Sequence, residues 1–207
     1  MIAQSLIEAP DEAVHLVVVD PGVGTNRRAV AVACGNGSFL VGPDNGVFFP
    51  VADLLGGALA AYALTEPWFM RDSMSSTFHG RDIFTPAAAH LALGVSPHEF
   101  GPPVAVEDLV RLDPPRVVVS SGSLRSEVAR IDHFGNVQLA ATSDEFALSG
   151  AVEVNGVRAM VGAKFADVAS GALLVYVNSA GHVAVACNGG SASELLGVPS
   201  EVTISAL

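Results

Sequence analysis

VVVDPGVGTNRRAVAVA, residues 17–33, reads as an apolar strand, a turn carrying one acid and two arginines, and a second strand-like run. It sets the first half of the chain as strand, turn and strand, and it poses a chemical question. The chain has only ten lysines and arginines, yet Arg27 and Arg28 stand side by side within eight positions of Asp20. On its own, Asp20 reads as the turn-former of an Asp-Pro-Gly strand end, and the arginines read as solvated surface. The alternative is that the acid and one guanidinium are partners.

Working outward, strand patterns occupy 14–19, 29–34 and 38–42, with Asn36-Gly37 as a hairpin signal between the last two. Helical patterns follow around 46–61 and 83–93, where DIFTPAAAHLAL has Ala and Leu at helical spacing. The apolar window 46–69 is interrupted by Pro50, Asp53 and Gly56-Gly57, short of a membrane span, and reads as a buried amphipathic helix. The paired prolines of RLDPPR, 111–116, form a natural linker. Beyond them the signals are short strands at 117–120, 127–132, 136–140, 151–154, 157–161, 173–177, 182–187 and 201–205. The expected fold is an N-terminal α/β domain, 1–113, followed by a mostly antiparallel, β-barrel-like domain, 117–207.

With 207 residues, half of them hydrophobic and 15% charged, the chain can bury an ample core. A net charge of −11 argues against a nucleic-acid partner, which needs clustered Lys and Arg, and suits a cationic small molecule. Cys34 and Cys187 are far apart and fit no metal-ligand spacing. With no signal peptide or spanning segment in view, the expectation is a cytoplasmic protein with reduced thiols and no membrane association.

Four constellations carry polar chemistry. Gly22-Val23-Gly24 fails as a dinucleotide motif, because the third glycine of G-x-G-x-x-G would fall at Arg27. In STFHGRDIF, 76–84, His79 sits between an aromatic and a glycine, and Arg81 and Asp82 read as a pair or as caps of the next helix. In ARIDHFGNVQLA, 129–140, Asp132, Phe134 and Asn136 alternate. They either share a strand face, offering an acid for an ammonium, a ring for stacking and an amide for a base edge, or they form a hairpin with Gly135 at a bulge. In VNSAGHVAVACNGGSASELLG, 177–197, Asn188-Gly189-Gly190-Ser191 leads into a short helix whose N-terminus either receives a ligand or is simply capped by Ser191. A metal site built from His79, Asp82 and Asp44 has no spacing in its favour.

Taken in order, VVVDPGVGTNRR, GPDNGV, STFHGRDIFTPAAAHLA, IDHFGN and NSAGHVAVACNGGSA resemble the signatures of the S-adenosyl-L-methionine hydrolases (hydroxide adenosyltransferases), relatives of the fluorinase and chlorinase. The resemblance runs from about Val14 to the C-terminus. It implies an Asp-Arg-His triad that handles water, matching Asp20, Arg27 and His79, with Arg28 pairing elsewhere. It also implies Phe78 and Gly80 near the reacting carbon, Asp132 on the methionine ammonium, Phe134 and Asn136 around adenine, and Phe165 as a second aromatic wall. Ser179 would take the methionine carboxylate, and Asn188 and Gly189 would lie near the base. The implied reaction is in-line attack of activated water at C5′ of S-adenosyl-L-methionine, giving adenosine and L-methionine, with no cofactor and no metal. Arg27 cannot be the base, so His79 or Asp20 takes the proton. The implied assembly is a homotrimer with sites at subunit interfaces.

The tight Asn36-Gly37 turn stands where the fluorinase carries an insertion, which favours hydrolysis over halogenation. Three departures stand out. The family's opening Thr-Asp-Phe-Gly ribose motif has no counterpart after Met1, VQLA replaces the usual Thr-Asn after FGN, and Ala180 follows Ser179 where the halogenases have Arg. The missing ribose motif motivates an alternative expectation, a protein that binds S-adenosyl-methionine or adenosine without turning it over.

Overall fold

The structure, a computed structural model, describes residues 9–207. It divides into two compact units at the bond between Asp113 and Pro114, inside RLDPPR.

Among the described residues the first unit has five strands: β1 (Val14–Leu16), β2 (Ala29–Cys34), β3 (Phe39–Pro43), β4 (Ala58–Ala63) and β5 (Pro103–Val104). Their order in the sheet is β1-β3-β2-β4-β5, with β1 parallel to β3 and the remaining pairs antiparallel. The sheet is thus mixed, with one parallel pair, and few helices accompany it. Central β2, AVAVAC, is apolar on both faces because both are covered. Val30 and Val32 pack with Phe48, Val51 and Leu55 around the short helix α1 (Phe49–Ala52). Ala31 instead packs with Phe84, Leu91 and Phe100 beside α2 (Thr85–Ala92).

Several expectations are corrected here. The strand expected over 14–19 is regular only to Leu16, with Val17 adding one further bond to the Val41 carbonyl at 2.9 Å. The helix expected over 46–61 is only α1 and a following 3₁₀ turn, Asp53–Leu55; residues 58–63 are β4. The cause is Gly56-Gly57, which adopts φ of +86° and +88° and turns the chain back into the sheet. A Cβ on Gly35 would lie 2.3 Å from the Gly56 carbonyl oxygen, so the two backbones meet only because both residues are glycine. The β2–β3 hairpin does form, turning through Gly35-Asn36 with Gly37 left-handed at φ +84°.

The second unit contains β6 (Val117–Ser120), β7 (Ser123–Ile131), β8 (Val137–Thr142), β9 (Ala151–Val154), β10 (Val157–Val161), β11 (Leu173–Val177), β12 (His182–Cys187) and β13 (Glu201–Ala206). β13 pairs with both β9 and β7, closing the circuit β7-β8-β12-β11-β10-β9-β13 into a seven-stranded barrel, with β6 added along β7. All pairs are antiparallel except β10 with β11. Alternation fills the barrel: Val137, Leu139 and Ala141 of β8 point inward with Val152, Val154, Val175, Val185, Val202 and Ile204. The short helix α3 (Ala192–Leu195) starts at Ser191, whose hydroxyl accepts from the Glu194 N–H. Capping thus accounts for Ser191. Among the described residues no helix is long and apolar enough to cross a membrane.

In the first unit, one buried carboxylate organises the loop before α2. Asp82 is fully buried, accepts from Arg81 Nε at 2.7 Å and from the Ser75 N–H at 2.8 Å, and lies 3.6 Å from Arg71 Nη1. The Arg81 hydrogen bond, then that from Ser75, holds its pKa down at about 2. A depressed carboxylate pKa contributes stability above the unfolded value of about 3.9, and that contribution is lost as pH falls toward 2. Asp82→Asn is therefore expected to flatten the acid limb of a plot of thermal midpoint against pH, relative to the parent chain, below pH ~4. In the barrel, Leu139→Ala should lower the unfolding free energy by about 2–5 kcal/mol in chemical denaturation, because it opens a cavity in a closed core.

Candidate active site

The turn after β1 folds back on itself. The Val23 N–H bonds the Asp20 carbonyl, the Thr25 N–H and hydroxyl both bond the Gly22 carbonyl, and the Thr25 hydroxyl then accepts from the Arg27 N–H. These closures bring Arg27 back onto Asp20. Nε donates to both carboxylate oxygens at 3.0 and 3.1 Å, and Nη2 donates to Oδ2 at 2.6 Å. The two side chains are 10% and 6% exposed, so the pair is nearly withdrawn from water.

His79 completes the group from the other end of the unit. It caps a π-helical turn, Gly80–Phe84, that runs directly into α2, and its Nδ1 lies 2.7 Å from Arg27 Nη2. A guanidinium has no acceptor, so His79 must accept at Nδ1, which fixes the ring proton on Nε2. Beneath, the guanidinium carbon lies 5.0 Å from the centroid of the fully buried Phe84 ring. Phe84 is a contributor that sequence reasoning missed. Its signal was the apolar end of HGRDIF, two positions beyond the charged pair.

Arg28 goes to a different carboxylate, Nε donating to Asp44 Oδ2 at 2.8 Å, while Asp44 Oδ1 accepts from the Val110 N–H at 2.8 Å. Asn45, in the same GPDNGV segment, donates to the Val19 carbonyl at 2.8 Å and so anchors the residue before Asp20. Two adjacent arginines thus serve two separate carboxylates. Of the other expected residues in this unit, Phe78 is 57% exposed with the Arg81 guanidinium 5.0 Å over its ring, and Gly80 packs beside Val18. Among the described residues no cluster of three or more His, Cys, Asp or Glu side chains is placed to hold a metal ion.

The second unit holds an open cleft of about 740 Å³, a size that fits a small-molecule ligand. Asp132, Phe134, Asn136, Phe165, Asn188 and Gly189 all line it. Of the two readings of 132–136 the structure takes the hairpin: these residues form the β7–β8 turn, with Gly135 at φ +81° and its N–H bonded to the Asp132 carbonyl. Asp132 caps that turn. Oδ1 accepts from the N–H groups of Phe134 and Asn136, and Oδ2 accepts from Asn136 Nδ2, each at 2.9 Å. The turn is tied to the 188–191 loop, because the Ser193 N–H bonds the Gly135 carbonyl and a Cβ on Gly135 would lie 2.1 Å from Ser191 Oγ. That tie places Phe134 and Asn136 on the same cleft as Asn188 and Gly189. Asn188 Nδ2 donates to the Val168 carbonyl, anchoring the turn that carries Phe165.

Burial pushes the Asp132 pKa up, but the hydrogen bonds from Asn136 and Phe134 outweigh it and hold the carboxyl below its usual range, leaving an anion in the cleft at neutral pH. Tyr176 also lines the cleft, 6.1 Å from the Phe165 ring centroid, and its hydroxyl pKa is raised by burial and by the Asp132 charge. Sequence reasoning missed Tyr176; its signal was a lone polar aromatic in LLVYV. Ser179 is exposed on the 178–181 turn and does not line this cleft. Aromatic rings, amides and a carboxylate around one opening suit a flat base carrying a cationic arm.

The profile of the SAM hydroxide adenosyltransferase N-terminal domain matches residues 1–101, and that of the C-terminal domain matches 126–205. An (R)-S-adenosyl-L-methionine hydrolase of Salinispora tropica is 50% identical over 199 residues, 96% of this chain and 76% of that protein. A fluorinase of Actinopolyspora mzabensis is 26% identical over 88% of this chain and 72% of its own. The crystal structure of an uncharacterized conserved protein from Thermotoga maritima superposes with a TM-score of 0.84 at 34% identity, covering 99% of this chain and 81% of that one. The order of the motifs, the barrel with its cleft and both domain matches agree: the chain belongs to the SAM hydroxide adenosyltransferase family.

Proposed function

We propose that the protein hydrolyses S-adenosyl-L-methionine to adenosine and L-methionine, with Asp20, Arg27 and His79 handling the attacking water. The activity follows the relatives named as hydrolases. The observation that carries the residue assignment is the continuous contact from Asp20 through Arg27 to His79. The substrate's sulfonium leaves as a neutral thioether, so the departing group needs no acid and no metal. Only the water needs activation and aim.

Arg27 cannot accept a proton, and it occupies the one acceptor lone pair of His79. In this reading His79 donates from Nε2 to the water oxygen and fixes its position, Arg27 stabilises the hydroxide-like charge, and Asp20 takes the proton. A hydroxide-like anion meeting a sulfonium annihilates charge, which the apolar surroundings of Phe78 and Phe84 favour over separated hydrated ions. The cleft takes adenine between Phe134 and Phe165, with Asn136, Asn188 and Gly189 along the base edge, and the Asp132 carboxylate receives the substrate's ammonium. The protein acts as a homotrimer whose sites form at subunit interfaces, and it works in the cytoplasm without a cofactor. The family resemblance supports the trimer and the absence of a cofactor, and the two unpaired, buried cysteines support a reducing compartment.

Incubation with S-adenosyl-L-methionine tests this directly. The parent chain is expected to release adenosine and methionine in equal amounts, unaffected by strong chelators. Asp20→Asn should lower kcat by about 10²–10⁴-fold as the loss of a general base, and Arg27→Lys by about 10²–10³-fold as the loss of an oxyanion-type donor. A thermal shift with substrate but no product would leave binding alone. Histidine ¹⁵N NMR tests the proton assignment: His79 should show a protonated Nε2 and an unprotonated Nδ1, and the reverse pattern would return the base role to His79.

A further inference from the structure

Thr85 stands at the junction between the π-helical turn Gly80–Phe84 and α2, with its side chain exposed. Two hydrogen bonds converge there on one oxygen. The Gly80 carbonyl accepts from the Thr85 backbone N–H, five residues on, which is the π spacing, and also from the Thr85 hydroxyl at 2.7 Å. In an α-helix that carbonyl would turn to the N–H four residues on, that of Phe84. The hydroxyl therefore adds a second bond to the wide turn and none to the tight one.

Pro86 supports the same register. It has no N–H with which to reach the Asp82 carbonyl four residues back, and that carbonyl accepts from the Arg71 N–H at 3.0 Å. The Asp82 carboxylate meanwhile takes the Ser75 N–H at 2.8 Å. Residues 71–75 are thus fastened to the turn through both the carbonyl and the carboxylate of Asp82.

The width of the turn matters because its two ends are fixed independently. Downstream, Phe84, Ala87 and Leu91 are packed in the core with Ala31 and Phe100, which fixes the rotation of α2. Upstream, His79 Nδ1 meets Arg27 Nη2 at 2.7 Å. A π turn holds one more residue than an α turn, so tightening it would swing His79 round the helix axis by one residue position, about 100°. A swing of that size takes the imidazole off the guanidinium.

We infer that Thr85 is a positioning residue for the reaction: its hydroxyl, bonded to the Gly80 carbonyl, keeps the π-helical turn wide and thereby aims His79 at Arg27. It acts through His79 and not on the substrate. Its effect on turnover rests on the hydrolase reading above, whereas its effect on the direction of the imidazole is independent of that reading.

The test compares Thr85→Val, which removes the hydroxyl and keeps the branched shape and a similar helix propensity, with Thr85→Ser, which keeps the hydroxyl. Histidine ¹⁵N NMR reads His79 without substrate. Thr85→Val should replace its single-tautomer pattern by a mixture of tautomers, and Thr85→Ser should preserve the pattern. His90 is the internal control, since it lies on α2 with its ring edge-on to Phe69, centroids 5.1 Å apart. Its signals should stay in place in both variants, showing that the helix remains packed. With S-adenosyl-L-methionine, Thr85→Val should lower kcat about 2- to 10-fold at unchanged KM, the range of one hydrogen bond, and Thr85→Ser should recover most of the loss. A His79 pattern that survives Thr85→Val, an equal loss in Thr85→Ser, or His90 signals that move together with those of His79 would overturn the inference. A parent chain that keeps the His79 pattern yet releases no adenosine would refute the hydrolase reading alone, and the NMR comparison would still decide the role of Thr85.

Discussion

The first unit's chemistry depends on one ion pair held almost out of water, Arg27 on Asp20. Its fork-like geometry uses Nε and Nη2 together, which fixes the plane of the guanidinium and so the direction of the Nη2 group that meets His79. Lysine offers no such plane. Burial makes the arrangement demanding, since removing one partner of a buried pair strands the other charge at a cost of about 3–5 kcal/mol. The turn hydrogen bonds of 20–27 and the Phe84 ring beneath hold that pair in one geometry.

Around the pair, structural and chemical duties are divided between neighbours. Arg28 and Asp44 join the strand region to the Val110 backbone, while Arg27 and Asp20 face the histidine. Arg81 and Asp82 order the loop that leads into His79, and α2 continues from the same π-helical turn. A π-helical turn at this point is consistent with the tendency of such irregularities to occur at functional positions. In the second unit the same economy appears in Asp132, which caps its own turn with three hydrogen bonds and still presents a carboxylate to the cleft.

Much of this was legible beforehand. The eight strands after RLDPPR are marked by alternation and by turn residues at each end, and every one of them is present within a few residues. In the first half the reading failed where composition was ambiguous. ALAAYA favours a helix by intrinsic propensity, yet becomes β4 because β2 offers it a hydrogen-bonding edge and Gly56-Gly57 releases the chain toward it. The alternation of Asp132, Phe134 and Asn136 left a strand face and a hairpin both open, and the Asp132 carboxylate decides for the turn by accepting from local backbone N–H groups.

By itself the sequence determined the alternating barrel strands and the helix over the mid-eighties, because each depends on local pattern and spacing. Only the tertiary structure decided which arginine meets which carboxylate, and that Arg27 reaches a histidine 52 positions away. The reason is physical. Those meetings are set by strand register and chain reversal over long separations, and no local propensity encodes them.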